Sequence, residues 1–329
     1  MNRKLKIMAN LLLTAAFAAV SASCSKDEPG EERTIETPGG YRIETVFIPK
    51  GTFLMGSSDG SAVGKGTPGT DPNVTPAEPD RSSDETQHVV TLTKDYYMSK
   101  YPVTNSQYAA FLNDAGIGSS GAKAGIQGGE TLIEANSSWG LHYTGARWEP
   151  VASYANHPVI FVSWYGAKAY AEWAGGDLPT EAQWERAARG SVENMPFGIG
   201  NGKVLTGGMA NFDGCYPYDF DRGGTYNDPS GIYVGHTTEV GSYSAYANAY
   251  GLYDMHGNVW EWCLDRYSSY ASSPVTDPEG ATTGSNRVRR GGDGSYYWSS
   301  LAQSCRSAHR NYYYPVNRGF IGFRVVFRP

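Results

Sequence analysis

Sulfur and imidazole are the groups with the most chemistry to offer in this chain, and their spacing limits it. There are four cysteines, Cys24, Cys215, Cys263 and Cys305, and six histidines, His88, His142, His157, His236, His256 and His309. No two cysteines stand in C-x2-C or C-x4-C spacing, so a thiolate zinc site is not expected. The histidines form no H-x3-H pair, and each reads as a surface or hydrogen-bonding imidazole rather than a ligand. The chain has no G-x-S-x-G elbow and no phosphate loop, and nothing local supports a Ser/His/Asp triad.

The elements that must position any site are short. Thr104-Asn105-Ser106-Gln107 reads as a capping box, followed by Tyr108, Phe111 and Leu112 on one helical face. Ser163 is a good N-cap for a second helix with Trp164, Ala167, Tyr170, Ala171 and Ala174 as its apolar stripe, stopped at Gly175-Gly176. Thr180-Glu181-Ala182-Gln183 opens a third helix that ends at Gly190. Strand-like runs appear at residues 41–48, 51–56, 88–93, 96–98, 287–290 and 320–327. Residues 57–87 and 113–156 read as long loops, with Trp139 and Trp148 plugging the surface. Trp164, Trp173, Trp184, Trp260 and Trp262 read as core. The expected class is α+β with abundant coil.

Composition agrees. At 329 residues the chain fits one large domain or two small ones. Its 24 Tyr and 8 Trp, with only 18% charged residues, exclude a disordered polymer. The 41 Gly point to many turns. The net charge of −6 leaves no broad basic footprint for nucleic acid, so no nucleic-acid partner is expected.

The N-terminus reads as an export signal. Arg3, Lys4 and Lys6 precede a short apolar run, Leu11 to Val20, then Ser21-Ala22-Ser23-Cys24. This resembles a bacterial lipobox, with Ser21 where the pattern usually has Leu. The resemblance implies a signal peptide over 1–23, lipidation of Cys24 and attachment to the outer membrane, facing the periplasm or the cell surface. Ser25-Lys26-Asp27-Glu28 resembles the tag that sends some Bacteroidetes lipoproteins to the surface. Residues 24–40, polar and carrying Pro29, Pro38 and Gly39-Gly40, are expected to be a flexible tether to a domain over 41–329.

Within that domain a series of blocks runs in order: Phe53-Leu54-Met55-Gly56; Tyr101-Pro102-Val103-Thr104-Asn105; His157-Pro158-Val159 through Trp164; Leu178-Pro179-Thr180 through Glu185; Gly251-Leu252-Tyr253-Asp254-Met255-His256-Gly257-Asn258-Val259-Trp260-Glu261-Trp262; Arg290-Gly291-Gly292; Cys305 through Arg310; and Ile321-Gly322-Phe323-Arg324. Together they resemble the formylglycine-generating enzyme, or sulfatase-modifying-factor, family. The resemblance implies a fold like the C-type lectins, with small twisted sheets, a few helices and long ordered loops.

The family's enzymes oxidise a sulfatase cysteine to formylglycine with O₂, using two cysteines in C-x4-C spacing that bind Cu(I). Soft thiolates suit that ion. The pair belongs in the stretch 293–304, which here holds no cysteine. Counting from Gly292 places it at Tyr296 and Leu301; counting back from Arg306 places it at Tyr297 and Ala302. Neither register supplies sulfur, so copper-dependent oxidation is not expected.

The resemblance also implies structural calcium. Its ligands carry over to the Asp254 and Glu261 side chains and the Gly257 and Val259 carbonyls, a hard-oxygen set suited to that ion. A second calcium would begin at Asn211 and the Phe212 carbonyl, with its later ligands falling in an altered loop near Tyr233 to Gly235. Tyr296, Tyr297 and Trp298 are expected to line the groove that holds substrate peptide in the enzymes, with Tyr312, Tyr313 and Tyr314 nearby in sequence. Cys263 and Cys305 both flank family blocks, which makes them the candidate disulfide. The functional expectation is a non-oxidase binding or scaffold lipoprotein of the cell envelope, with a peptide, protein or glycan partner. The alternative is a formylglycine-generating oxidase.

Overall fold

The computed structural model describes residues 27–61, 76–294 and 300–329. Three helices form where the caps direct. In α1 (Asn105–Asp114) and α3 (Glu181–Arg189) the capping boxes are complete: Thr104 and Thr180 accept from the Gln107 and Gln183 amides, and each glutamine side chain reaches back. Ser163 caps α2 (Trp164–Trp173) through the Gly166 amide. Helix α3 also carries Glu181 in its first turn and Arg186 and Arg189 in its last, the arrangement a helix dipole favours.

The strands are short and form several small sheets. One runs in the order Glu32–Glu36, Arg42–Ile48, Tyr96–Ser99, Val326–Phe327, which ties the two ends of the domain together. A second runs Asn311–Tyr313, Arg287–Arg290, Trp260–Arg266, Ile321–Gly322 and carries the motif blocks. A third runs Val275–Thr276, His88–Leu92, Gly51–Met55, with His88–Leu92 in the centre. The main core lies between α1, α2 and the second sheet, where Tyr108, Phe111, Tyr170 and Phe323 pack ring on ring with centroids 5.3–5.9 Å apart.

Several expectations need correction. The ordered domain begins before residue 41: Glu32–Glu36, expected inside the tether, pairs antiparallel with Arg42–Ile48, and Pro38-Gly39-Gly40 is the turn between them. Trp148 does not plug the surface but is buried in the main core, its indole donating to the Ile117 carbonyl at 3.0 Å; Trp139 is the exposed one. Cys263 and Cys305 do not pair. All three described cysteines are free, and these two lie in separate apolar clusters. The remaining tryptophan assignments hold, with Trp173 only partly buried. Residues 1–26, including Cys24, and 295–299, including Tyr296, Tyr297 and Trp298, lie outside the described residues.

Candidate functional site

The block from Gly251 to Trp262 folds as a tight loop running into a strand. Asp254 and Asn258 adopt left-handed backbone, with φ of 57° and 71°. Gly257 between them is at φ 120°, and a Cβ there would lie 2.5 Å from the Asn211 carbonyl oxygen. Glycine is therefore demanded at this point by both conformation and space. The close approach lets the Asn258 amide donate to the Asn211 carbonyl at 2.8 Å. Asn211 Nδ2 donates in return to Asn258 Oδ1 and to the His236 carbonyl. The two sets of oxygens assigned to calcium thus come from segments laced together, and one small crevice is lined by Asn211, Asp254 and Gly257.

Within it the oxygens differ. The Asp254 carboxylate takes the Gly241 amide at 2.7 Å and has no cation within 4 Å among the described residues. Burial pushes its pKa up to about 6, with the Glu261 charge adding to the effect. Asn211 Oδ1 is a buried acceptor with no hydrogen-bond partner among the described residues. Both fit a cation that brings positive charge and accepts oxygen ligands. Glu261 is already engaged: Oε2 accepts from Trp184 Nε1 and Arg324 Nε, each at 2.7 Å, and Oε1 accepts from Arg324 Nη2 at 2.8 Å. The Gly257 carbonyl accepts from the Val259 amide at 3.0 Å.

The stretch 293–304 contains no sulfur. Leu301 is half-buried and Ala302 fully buried, in the turn leading to Cys305. Burial pushes the Cys305 and Cys263 thiols well above the ordinary range, so neither is a ready thiolate. His256 is also structural. Its ring bridges the Cys305 carbonyl and the Gly198 amide, and burial lowers its pKa to about 4.

Much of the charge in the motif blocks is spent inside the protein. Arg290 reaches Glu181 at 2.7 Å and Glu185 at 2.6 Å; Arg310 reaches Glu181 at 2.6 Å; Arg306 reaches Glu85 at 2.8 Å and also Glu78. These pairs are almost wholly shielded from solvent; those of Arg290 and Arg310 stitch α3 to the later strands and loops, and those of Arg306 tie the loop at Glu78 and Glu85 to the last third of the chain. Beside them lies a cavity of about 190 Å³, lined by His88, Glu181, Asp265, Tyr270 and Arg310 among others, that sequence reasoning did not identify. Asp265 caps the start of α3 by accepting the Glu181 amide at 2.7 Å, and burial beside the Glu181 charge raises its pKa to about 8.

Residues 33–329 match the Sulfatase-modifying factor enzyme 1-like domain. The chain belongs to the sulfatase-modifying-factor family. It is 32% identical to the formylglycine-generating enzyme of Streptomyces coelicolor over 94% of this chain and 96% of that protein. It is also 32% identical to the serine/threonine-protein kinase pkn1 of Chlamydia caviae, matching 90% of this chain but only 40% of the kinase. Among solved structures, PvdO from Pseudomonas aeruginosa superimposes with a TM-score of 0.60 at 26% identity, covering 92% of this chain and all of that one. Treponema denticola variable protein 1 shares the fold at a TM-score of 0.57 and 21% identity. The architecture is the C-type-lectin-like fold of the sulfatase-modifying factors.

Proposed function

We propose that this member of the family is a non-oxidase binding or scaffold lipoprotein of the cell envelope, exported and anchored to the outer membrane through Cys24. The carrying observation is chemical: between Gly292 and Cys305, where the oxidases place two copper thiolates, this chain has no cysteine, and the two described positions in either register are Leu301 and Ala302. A single buried thiol at Cys305 does not supply the paired soft donors that Cu(I) takes. Calcium is the metal this reading assigns. For the first ion, the Asp254 carboxylate, which among the described residues accepts only the Gly241 amide, lies on the same loop as the Gly257 and Val259 carbonyls. Glu261 contributes only through lone pairs left over from Arg324 and Trp184. A second calcium would begin at Asn211 Oδ1 and the Phe212 carbonyl. When bound, the ion supplies local positive charge and fixes the loop.

The second reading, a formylglycine-generating oxidase, is favoured by the near full-length similarity to the Streptomyces coelicolor protein named for that activity. Incubation with a cysteine-containing sulfatase peptide, Cu(I) and O₂, read by mass spectrometry for the aldehyde, separates the two. No aldehyde is expected; multiple turnovers per protein would overturn the proposal. Mass analysis of protein from membranes is expected to show a diacyl or triacyl modification on Cys24.

A further inference from the structure

The second sheet holds three arginines, Arg266, Arg287 and Arg289, that make no ion pair among the described residues. Arg266 and Arg287 are direct cross-strand partners, and Arg289 follows Arg287 on the same face of its strand. Like charges directly opposite one another destabilise a strand pair. Among the described residues none of the three has a carboxylate within 4 Å, although most other arginines of the domain are ion-paired. The carboxylates that act on them from further away are Asp265 on Arg287 and Asp293 on Arg289.

Their guanidinium planes are held by rings instead. Arg287 lies 3.6 Å above the Trp164 ring, and Arg289 sits between Trp260 at 4.7 Å and Tyr313 at 4.8 Å. Arg266 and Arg287 each give one N–H to a backbone carbonyl, of Gly284 and Leu264. Among the described residues the Arg289 side chain makes no hydrogen bond, and the buried indole N–H of Trp260, on which it stacks, has no acceptor. Among the described residues two donors, Arg289 Nε and Trp260 Nε1, thus stand unfilled side by side.

Tyr313 belongs to Asn311–Tyr313, the outermost strand of its sheet, whose far edge meets no further strand among the described residues; Asn311 Oδ1 accepts the Tyr312 amide there at 2.7 Å and would yield it to an incoming strand. Tyr312, Tyr313 and Tyr314 are exposed beside it. An unpaired edge accepts backbone hydrogen bonds from an extended chain, which a nucleic acid or a polysaccharide does not offer.

We propose that the Arg266–Arg287–Arg289 strip and the adjoining edge strand form a docking site for an extended acidic peptide, whose carboxylates meet Arg289 and Arg287 while its backbone pairs with Asn311–Tyr313. This rests on the reading of the chain as a binding protein and names the chemistry of its partner.

The test uses fluorescence anisotropy with a labelled acetyl-Glu-Thr-Glu-Thr-Glu peptide, whose alternate glutamates fall on one face of a strand, and the whole mature protein. The glutamine analogue is expected to bind at least about tenfold more weakly, as is the glutamate peptide to Arg289→Gln, because a charge-assisted hydrogen bond is lost. Added salt should weaken the glutamate complex. Equal binding of the two peptides, or binding of neither up to millimolar, overturns the proposal even if Arg289→Gln fails to fold, since that comparison uses the unmodified protein. Tighter binding of oligo-dT or a uronate tetrasaccharide, lost in Arg289→Gln, would also overturn it. Aldehyde formation in the sulfatase-peptide assay overturns the non-oxidase reading alone and leaves the anisotropy result standing.

Discussion

Glu261 and Arg324 form a bidentate ion pair shielded completely from solvent, with Nε to Oε2 at 2.7 Å and Nη2 to Oε1 at 2.8 Å. The pair joins the Gly251–Trp262 block to the Ile321–Arg324 block. Arg324 extends the link by donating to the Ser99 and Tyr253 carbonyls, across 225 and 71 positions of sequence. Removing either partner strands a buried charge. Glu261→Ala or Arg324→Ala is expected to cost about 3–5 kcal/mol, read as a fall in the urea midpoint with an unchanged slope.

Gly257 and Gly175 separate backbone strain from collision. Both have positive φ, 120° and 83°, but a Cβ at Gly175 meets nothing within 4 Å whereas one at Gly257 meets the Asn211 carbonyl. Gly175→Ala is expected to lose about 1–2 kcal/mol, the conformational term alone. Gly257→Ala should lose clearly more, because the Asn211–Asn258 bonds must also part. Equal losses in chemical denaturation would contradict this.

Asp265 sets a pH dependence of defined sign. Its folded pKa, about 8, lies above the unfolded carboxylate value of about 3.9. The folded state therefore holds a proton that the unfolded state releases. The contribution to stability is complete below pH ~4, falls as pH rises toward 8 and is then constant. Asp265→Asn removes the titration while keeping an oxygen for the Glu181 amide. Unfolding free energies measured from pH 4 to 9 should fall more gently in the variant, by up to about 1.4 kcal/mol per pH unit within that window.

Calcium should raise the melting temperature of the wild-type protein, and chelator should lower that of protein purified with the ion. Asp254→Asn is expected to abolish the response to calcium while partly relieving the cost of the buried carboxylate, so its chelator-treated form should melt no lower than chelated wild type. A calcium response of full size in Asp254→Asn would move the ion elsewhere.

The helix starts were legible in the sequence because capping is local. Thr104 with Gln107, Ser163 with Gly166, and Thr180 with Gln183 need only a few consecutive residues to satisfy free amides. The motif blocks fixed the family and fold, and the missing sulfur in 293–304 followed from residue identity alone. Tertiary structure decided which charges remain available. Glu85 and Arg306, 221 positions apart, neutralise one another, as do Glu181 and Arg310, 129 apart. Arg266, Arg287 and Arg289 look no different from these in composition, yet strand register sets the first two opposite each other and aromatic rings hold the last two without an anion. The same register and packing put Glu261 on Arg324, turned Pro38-Gly39-Gly40 from tether into hairpin, and kept Cys263 and Cys305 apart. Caps and sulfur content depend on neighbours along the chain, whereas charge neutralisation depends on which distant segments share a low-dielectric interior, and that is settled only when they pack.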